Sequence, residues 1–257
     1  MEHTTDFFVT RHSIVRTIWG NADAVLFIFA GASAEFALNK AVDWLYFTGR
    51  LPADPLGRLF STVNYAGMIV FSETAQANAA IDKITSIHSV VEQQRDSKIP
   101  DWAYRDVLYM LIFYSIASFE LLQRKMTTAE KNEVYDVFYR VGIRMGLKAL
   151  PKDYATWVAD RELHLFNDLV KSSHTTDLYR QYKKHLGSIR FFLLLESQKM
   201  VLPPTAKDLL GLKKNQWLKP IVPVYRLIKY LHGDRLVKAI LLPKKYRQQV
   251  NALDRDH

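Results

Sequence analysis

A chain of 257 residues in which 49% of side chains are apolar can bury one sizeable core, and that apolar fraction excludes general disorder. The absence of cysteine excludes a disulfide framework, thiolate-bound zinc, iron–sulfur clusters and covalent c-type haem attachment. The net charge of +9 is concentrated, since residues 213–247 hold ten Lys/Arg against the single Asp234, a surplus equal to the whole.

The elements read in chain order as helices. Glu2 and Asp6 precede any apolar stretch, which argues against a signal peptide. Thr10 is positioned to cap a segment carrying Ile14, Val15, Ile18 and Trp19, with Gly20 as its stop. A second apolar stretch from Ala24 to Phe29 leads through Gly31 toward Phe36 and Phe47. Asp54-Pro55 is an N-cap followed by proline at the first helical position, opening a helix to about Phe71. Ser72 or Thr74 starts the next, whose Ala77, Ala80, Ile81, Ile84, Ile87 and Val91 form an i, i+3, i+4 stripe.

Asp101 then caps a central apolar helix to about Lys125. Its run 107–119 is uncharged but shorter than the roughly 20 residues a spanning helix needs. Thr127 and Glu130 have capping-box spacing for a helix to about Lys148. Asp153 caps one to about Val170, and Thr175 or Thr176 caps a longer one to about Met200. Prolines 203, 204, 220 and 223 divide the C-terminal region into short helices. No alternating strand pattern and no repeat occurs. The expected fold is all-α, with residues 1–257 forming a single-domain helical bundle.

Several chemistries lack their residues. There is no phosphate-binding glycine loop, no Glu-x-x-His pair for a di-iron bundle, no H-E-x-x-H and no G-x-S-x-G. His88 continues the apolar stripe of its helix, four residues after Ile84. Two readings stay open from spacing alone: a core histidine satisfied by a carbonyl or by Glu92, or an imidazole presented to a metal. Arg58 and Thr62 share one face four residues apart, with Tyr65 and Ile69 continuing it. A surface arginine beside a routine threonine is the plain alternative.

The stretch Asp54-Pro55-Leu56-Gly57-Arg58-Leu59-Phe60-Ser61-Thr62, followed by Ala75, Ala79 and Ile87-His88-Ser89-Val90-Val91, resembles the central signature of one enzyme family. It is the haem-dependent oxygenases related to the latex-clearing rubber oxygenase and to MpaB of the mycophenolic acid pathway. The likeness extends weakly to Gly20-Asn21, to Trp102 through Lys125 and to Leu242-Pro243 with Arg247. The resemblance implies a bundle enclosing a non-covalent b-type haem, with His88 as the axial iron ligand and Arg58 and Thr62 in the pocket as cofactor-binding and catalytic residues. It implies dioxygen and an apolar small molecule as substrates. The chain departs from the pattern in lacking a His-Pro pair near its second helix and in carrying Glu92 where a basic residue often follows the histidine. Ser61 stands where the rubber-cleaving members have lysine, which implies a different distal pocket and a substrate other than rubber.

Among the other histidines, His164 and His232 are candidate second ligands that spacing does not select. Tyr65, Tyr109, Phe113 and Tyr114 could wall a pocket or simply fill a core. Glu120, inside an apolar run, must be paired or protonated, and pairing is the expectation. The basic region mixes cations with Ile221, Val224, Leu227 and Leu236, a pattern of helices solvated on one face. Weak contact with an anionic membrane surface is its second reading, and nucleic-acid binding is not expected because no recognition motif accompanies the charge. A cytoplasmic or membrane-peripheral enzyme is the overall expectation. Its rivals are a non-catalytic haem-binding or haem-sensing protein and a cofactor-free helical interaction protein using the basic region.

Overall fold

The computed structural model describes residues 6–49, 54–213 and 220. The segment 213–247, apart from Lys213 and Pro220, and the side chain of Arg58 lie outside the described residues. Among the described residues the fold is all-helical, and the only β pairing consists of isolated bridges, Phe7 with Glu73 and Asn39 with Leu169.

Local chemistry sets the helix boundaries. Helix α1 (Ile14–Trp19) is capped by Ser13, whose hydroxyl accepts the Val15 N–H at 3.1 Å. Thr10 sits one turn earlier and gives its carbonyl to the Ser13 N–H. Helix α2 (Ala22–Leu38) runs straight through Gly31. A Cβ at Gly31 would stand 2.2 Å from two carbons of the Tyr114 ring, so the missing side chain serves close packing, not a break. The break comes at Asn39, whose side chain accepts the Ala41 N–H at 2.8 Å and starts α3 (Val42–Phe47) on a new axis.

Asp54 caps α4 (Pro55–Phe71) by accepting the Gly57 N–H at 2.9 Å, and α5 follows over Thr74–Arg95. Helix α6 (Asp101–Leu122) has Pro100 at its cap, leaving Asp101 in the first turn where its charge favours the helix dipole. The Thr127/Glu130 capping box forms as expected at the head of α7 (Thr128–Arg144), and Asp153 caps α8 (Tyr154–Asp168). Helix α9 (Ser173–Val201) starts from a Ser172/Thr175 capping box and is broken at Gly187, whose φ of 73° favours glycine. Helix α10 (Pro204–Leu210) closes at Gly211.

Helices α2 and α6 pack against each other through the centre, with α9 covering α2, α7 and α8 flanking α6, and α4 paired with α5. The apolar run of α6 is explained by this position, for Tyr109, Ile112 and Tyr114 are completely buried. Trp19 of α1 fills the junction between α2, α6 and α7, its indole N–H donating to Ser115 at 3.2 Å and its ring lying against Phe29 and Phe138. Among the described residues no helix is long and apolar enough to cross a membrane.

Candidate functional site

Among the described residues, two places gather side chains suited to chemistry. The first is the α4–α5 pair. His88 sits on the stripe of α5 that includes buried Ala77, Ala80 and Ile81, and is half-buried with its Nδ1 covered. Its ring lies 5.1 Å from the ring of Tyr104 on α6. Thr62 is half-buried on α4. A cleft of about 550 Å³ opens between the two helices, lined by Ser61, Asn64, Tyr65 and Met68 of α4 and by Gln76, Ala79, Ala80 and Lys83 of α5. Its lining thus includes neighbours of Thr62 and residues 5 to 12 positions before His88 on α5, but neither Thr62 nor His88 itself.

Glu92, one turn beyond His88, is buried and fully engaged. It accepts from Lys98 Nζ at 2.9 Å, the Ile99 N–H at 3.0 Å and the Tyr104 hydroxyl at 3.2 Å. Burial would raise its carboxyl pKa, but these hydrogen bonds and the Lys98 charge lower it on balance, so Glu92 is an anion. The donor set here suits a macrocycle, because haem brings four nitrogens of its own and asks the protein for a single imidazole on a rigid element. His88 on a 22-residue helix meets that requirement.

The second place is a polar seam where α2, α6 and α8 meet. Arg161 of α8 holds Glu35 of α2 in a two-pronged pair, and the Tyr114 hydroxyl donates to the same carboxylate at 2.7 Å. Close by along α8, His164 Nδ1 lies 2.5 Å from Asp106 Oδ1 on α6 and 3.0 Å from Asp168 Oδ2 on its own helix. Asn39 donates to the other Asp106 oxygen at 2.5 Å. Asp160, 3.8 Å from His164 Nε2, accepts from the Tyr109 hydroxyl at 2.5 Å. Burial alone would lower the His164 pKa, but the hydrogen bond to Asp106 and the charges of Asp106, Asp160 and Asp168 raise it on balance. Asp168 is shifted upward by burial and by the Asp106 charge, against His164, Lys40 and Arg105. Asp106, His164 and Asp168 each offer a donor atom, all within 4.8 Å of one another, a set able to hold a metal ion.

The structure therefore keeps Thr62 and His88 on adjoining helices and brings His164, which spacing does not select, into a cluster. The signal was present in Asp160, His164 and Asp168, which recur every four residues along one face of α8. Tyr109 and Tyr114 use their hydroxyls on Asp160 and Glu35, while Tyr65 lines the cleft. Glu120 is paired as expected, with Lys125 at 2.7 Å and Lys131 at 3.0 Å. His232 lies outside the described residues.

No curated protein and no solved structure matches the chain significantly. Residues 17–232 match the family described as ER-bound oxygenase mpaB/B'/Rubber oxygenase, catalytic domain. That match runs from within α1 to beyond α10 and includes both the Arg58–His88 stretch and the α8 cluster, and on this extent the chain belongs to the mpaB/rubber oxygenase catalytic-domain family.

Proposed function

We propose that the protein is a haem-dependent oxygenase, or a related oxidative enzyme, acting on an apolar small molecule. His88 would hold a non-covalent b-type haem, with Arg58 and Thr62 contributing from α4. The observation that carries this reading is the family match over 17–232, which takes in the whole stretch bearing these three residues. The placement of His88 on the inward stripe of α5, with Tyr104 against its ring, supports it.

Haem supplies the activation of dioxygen when bound; the chain supplies binding, orientation and exclusion of water. His88 projects from a well-formed helix, so its imidazole is held at a fixed depth against Tyr104. Arg58 would bring a permanent planar cation, suited to hold a carboxylate of the cofactor or to stabilise negative charge in the pocket. Thr62 offers a hydroxyl four residues further along the same helix. The α4–α5 cleft, with Met68, Ala79 and Ala80 beside Ser61 and Tyr65, receives the substrate. Residues 213–247 make a weak contact with an anionic membrane surface, which suits a cytoplasmic or membrane-peripheral enzyme of greasy substrates.

The test is an absorption spectrum of the protein reconstituted with haemin, followed by oxygen uptake with apolar candidate substrates. A stoichiometric Soret band with substrate-dependent uptake is expected. A folded protein that stays colourless overturns the reading, and a coloured protein without uptake toward any oxidisable apolar compound reduces it to haem binding.

A further inference from the structure

At the junction of α6, α8 and the α2–α3 turn, hydrogen bonding leaves a convergence unexplained. His164 Nδ1 carries at most one proton, yet carboxylates from two different helices point at it, Asp106 at 2.5 Å and Asp168 at 3.0 Å. A single N–H satisfies one of them at full strength. Asp106 is 2% exposed and the Asp168 side chain 16%, so water does little for the second carboxylate. Bringing two carboxylates together in a shielded place is costly.

The same atoms make good sense around a cation. Two ligands on one tetrahedral zinc ion, with bonds of about 2.0–2.2 Å, lie roughly 3.4 Å apart. The Asp168 contact at 3.0 Å and the Asp106 contact at 2.5 Å are both shorter, so the carboxylates part by less than about 1 Å to admit the ion. The surroundings fix the donors as metal sites require. Asn39 holds the other oxygen of Asp106 and is itself fixed by the Ala41 N–H, while the Lys40 N–H binds the Asp168 carbonyl at 2.9 Å. Asp160 stands ready near Nε2 but is already engaged by Tyr109.

We propose that Asp106, His164 and Asp168 bind a divalent first-row metal ion of the zinc or manganese kind. One imidazole and two carboxylates form a mixed set that suits such ions better than the all-oxygen cages of calcium or magnesium. The ion is a structural staple, joining α6 to α8 where the α2–α3 turn closes over them. Its entry replaces the Nδ1 hydrogen bonds with a metal–nitrogen bond, and any proton held at Nδ1 passes to solvent. The site is separate from His88 and does not rest on the haem reading.

Chelator-stripped protein titrated with Zn2+ by calorimetry, in two buffers of different ionisation enthalpy, tests this together with thermal melting. One ion per chain is expected, with proton release and a melting temperature that climbs with zinc concentration. Asp168→Asn, a same-size change at a half-buried position, is expected to weaken binding at least tenfold, and His164→Gln to abolish it. The exposed His185, replaced by Ala, leaves binding unchanged. Co2+ provides a reading on the wild type that needs no variant, since a ligand-field spectrum of nitrogen and oxygen donors is expected. Absence of stoichiometric zinc binding, or zinc binding that Asp168→Asn and His164→Gln both leave intact, overturns the site and leaves a hydrogen-bonded imidazole in its place.

Discussion

Arg161 on α8 and Glu35 on α2, 126 residues apart in the chain, meet with both guanidinium amino groups on both carboxylate oxygens, at side-chain exposures of 3% and 1%. Phe113 lies beneath the guanidinium, 5.3 Å from its centre, and Tyr114 supplies a further donor. Removing one partner leaves a buried charge without its counter-ion. Arg161→Met is expected to cost about 3–5 kcal/mol of stability, and Arg161→Met with Glu35→Leu distinctly less. Denaturant unfolding of the two single variants and the double variant checks it, and additive losses would mean that the pair does not act as a unit.

Gly31→Ala tests the closest approach of α2 to α6. The added methyl meets the Tyr114 ring at 2.2 Å, a ring held by its bond to Glu35, so backbone must move. A loss of about 1–3 kcal/mol is expected. Thermal melting is the measurement, and a melting temperature equal to wild type would show that α2 and α6 sit further apart than described.

Acid sensitivity follows from Glu130 in the α7 capping box. Its hydrogen bonds from Arg124, from the Thr127 N–H and from the Thr127 hydroxyl lower its pKa to about 2. A folded-state pKa depressed below the unfolded value gives stability that is present above the unfolded pKa and lost as pH falls toward 2. Glu130→Gln should therefore melt lower than wild type near neutral pH, with the gap closing between about pH 5 and pH 2. Added salt should narrow it too, because Arg124 is more than half exposed.

For the proposed chemistry, Arg58→Ala is expected to slow oxygen-dependent turnover on the order of a hundredfold, about 3 kcal/mol of barrier. Arg58→Lys restores it only partly, since lysine lacks the planar fork. Thr62→Val should change the spectrum of the haem-loaded protein while the melting temperature holds. Haem content and melting temperature measured beside turnover decide the matter. Variants that keep wild-type rates, or an Arg58→Ala protein that does not fold, would make the pair structural.

The helices are legible in the sequence because their punctuation is local. Asp54-Pro55, Thr127 with Glu130, and Asp153 mark helix starts through bonds made within three residues. The expected caps at Thr10 and Asp101 are displaced by a turn and by one position, for Ser13 and Pro100 take those places. The sequence carries the helix through Gly31, but only the fold reveals why no side chain is tolerated there, with the Tyr114 ring against it. The polar seam is the least legible part. Glu35, Asn39, Asp106 and His164 come from three helices and the turn after α2, and no spacing in one segment announces contacts across 58 to 126 residues. A single helix does show the four-residue recurrence of Asp160, His164 and Asp168.

The most direct test of the central claim is a haemin titration of wild type and His88→Ala, monitored by the Soret band and by pyridine haemochrome content. Wild type should bind one b-type haem, extractable by acidic acetone because no cysteine can hold it covalently. His88→Ala should lose the haem or shift to a different ligation spectrum while remaining folded. A His88→Ala protein with the wild-type spectrum and affinity would contradict the account.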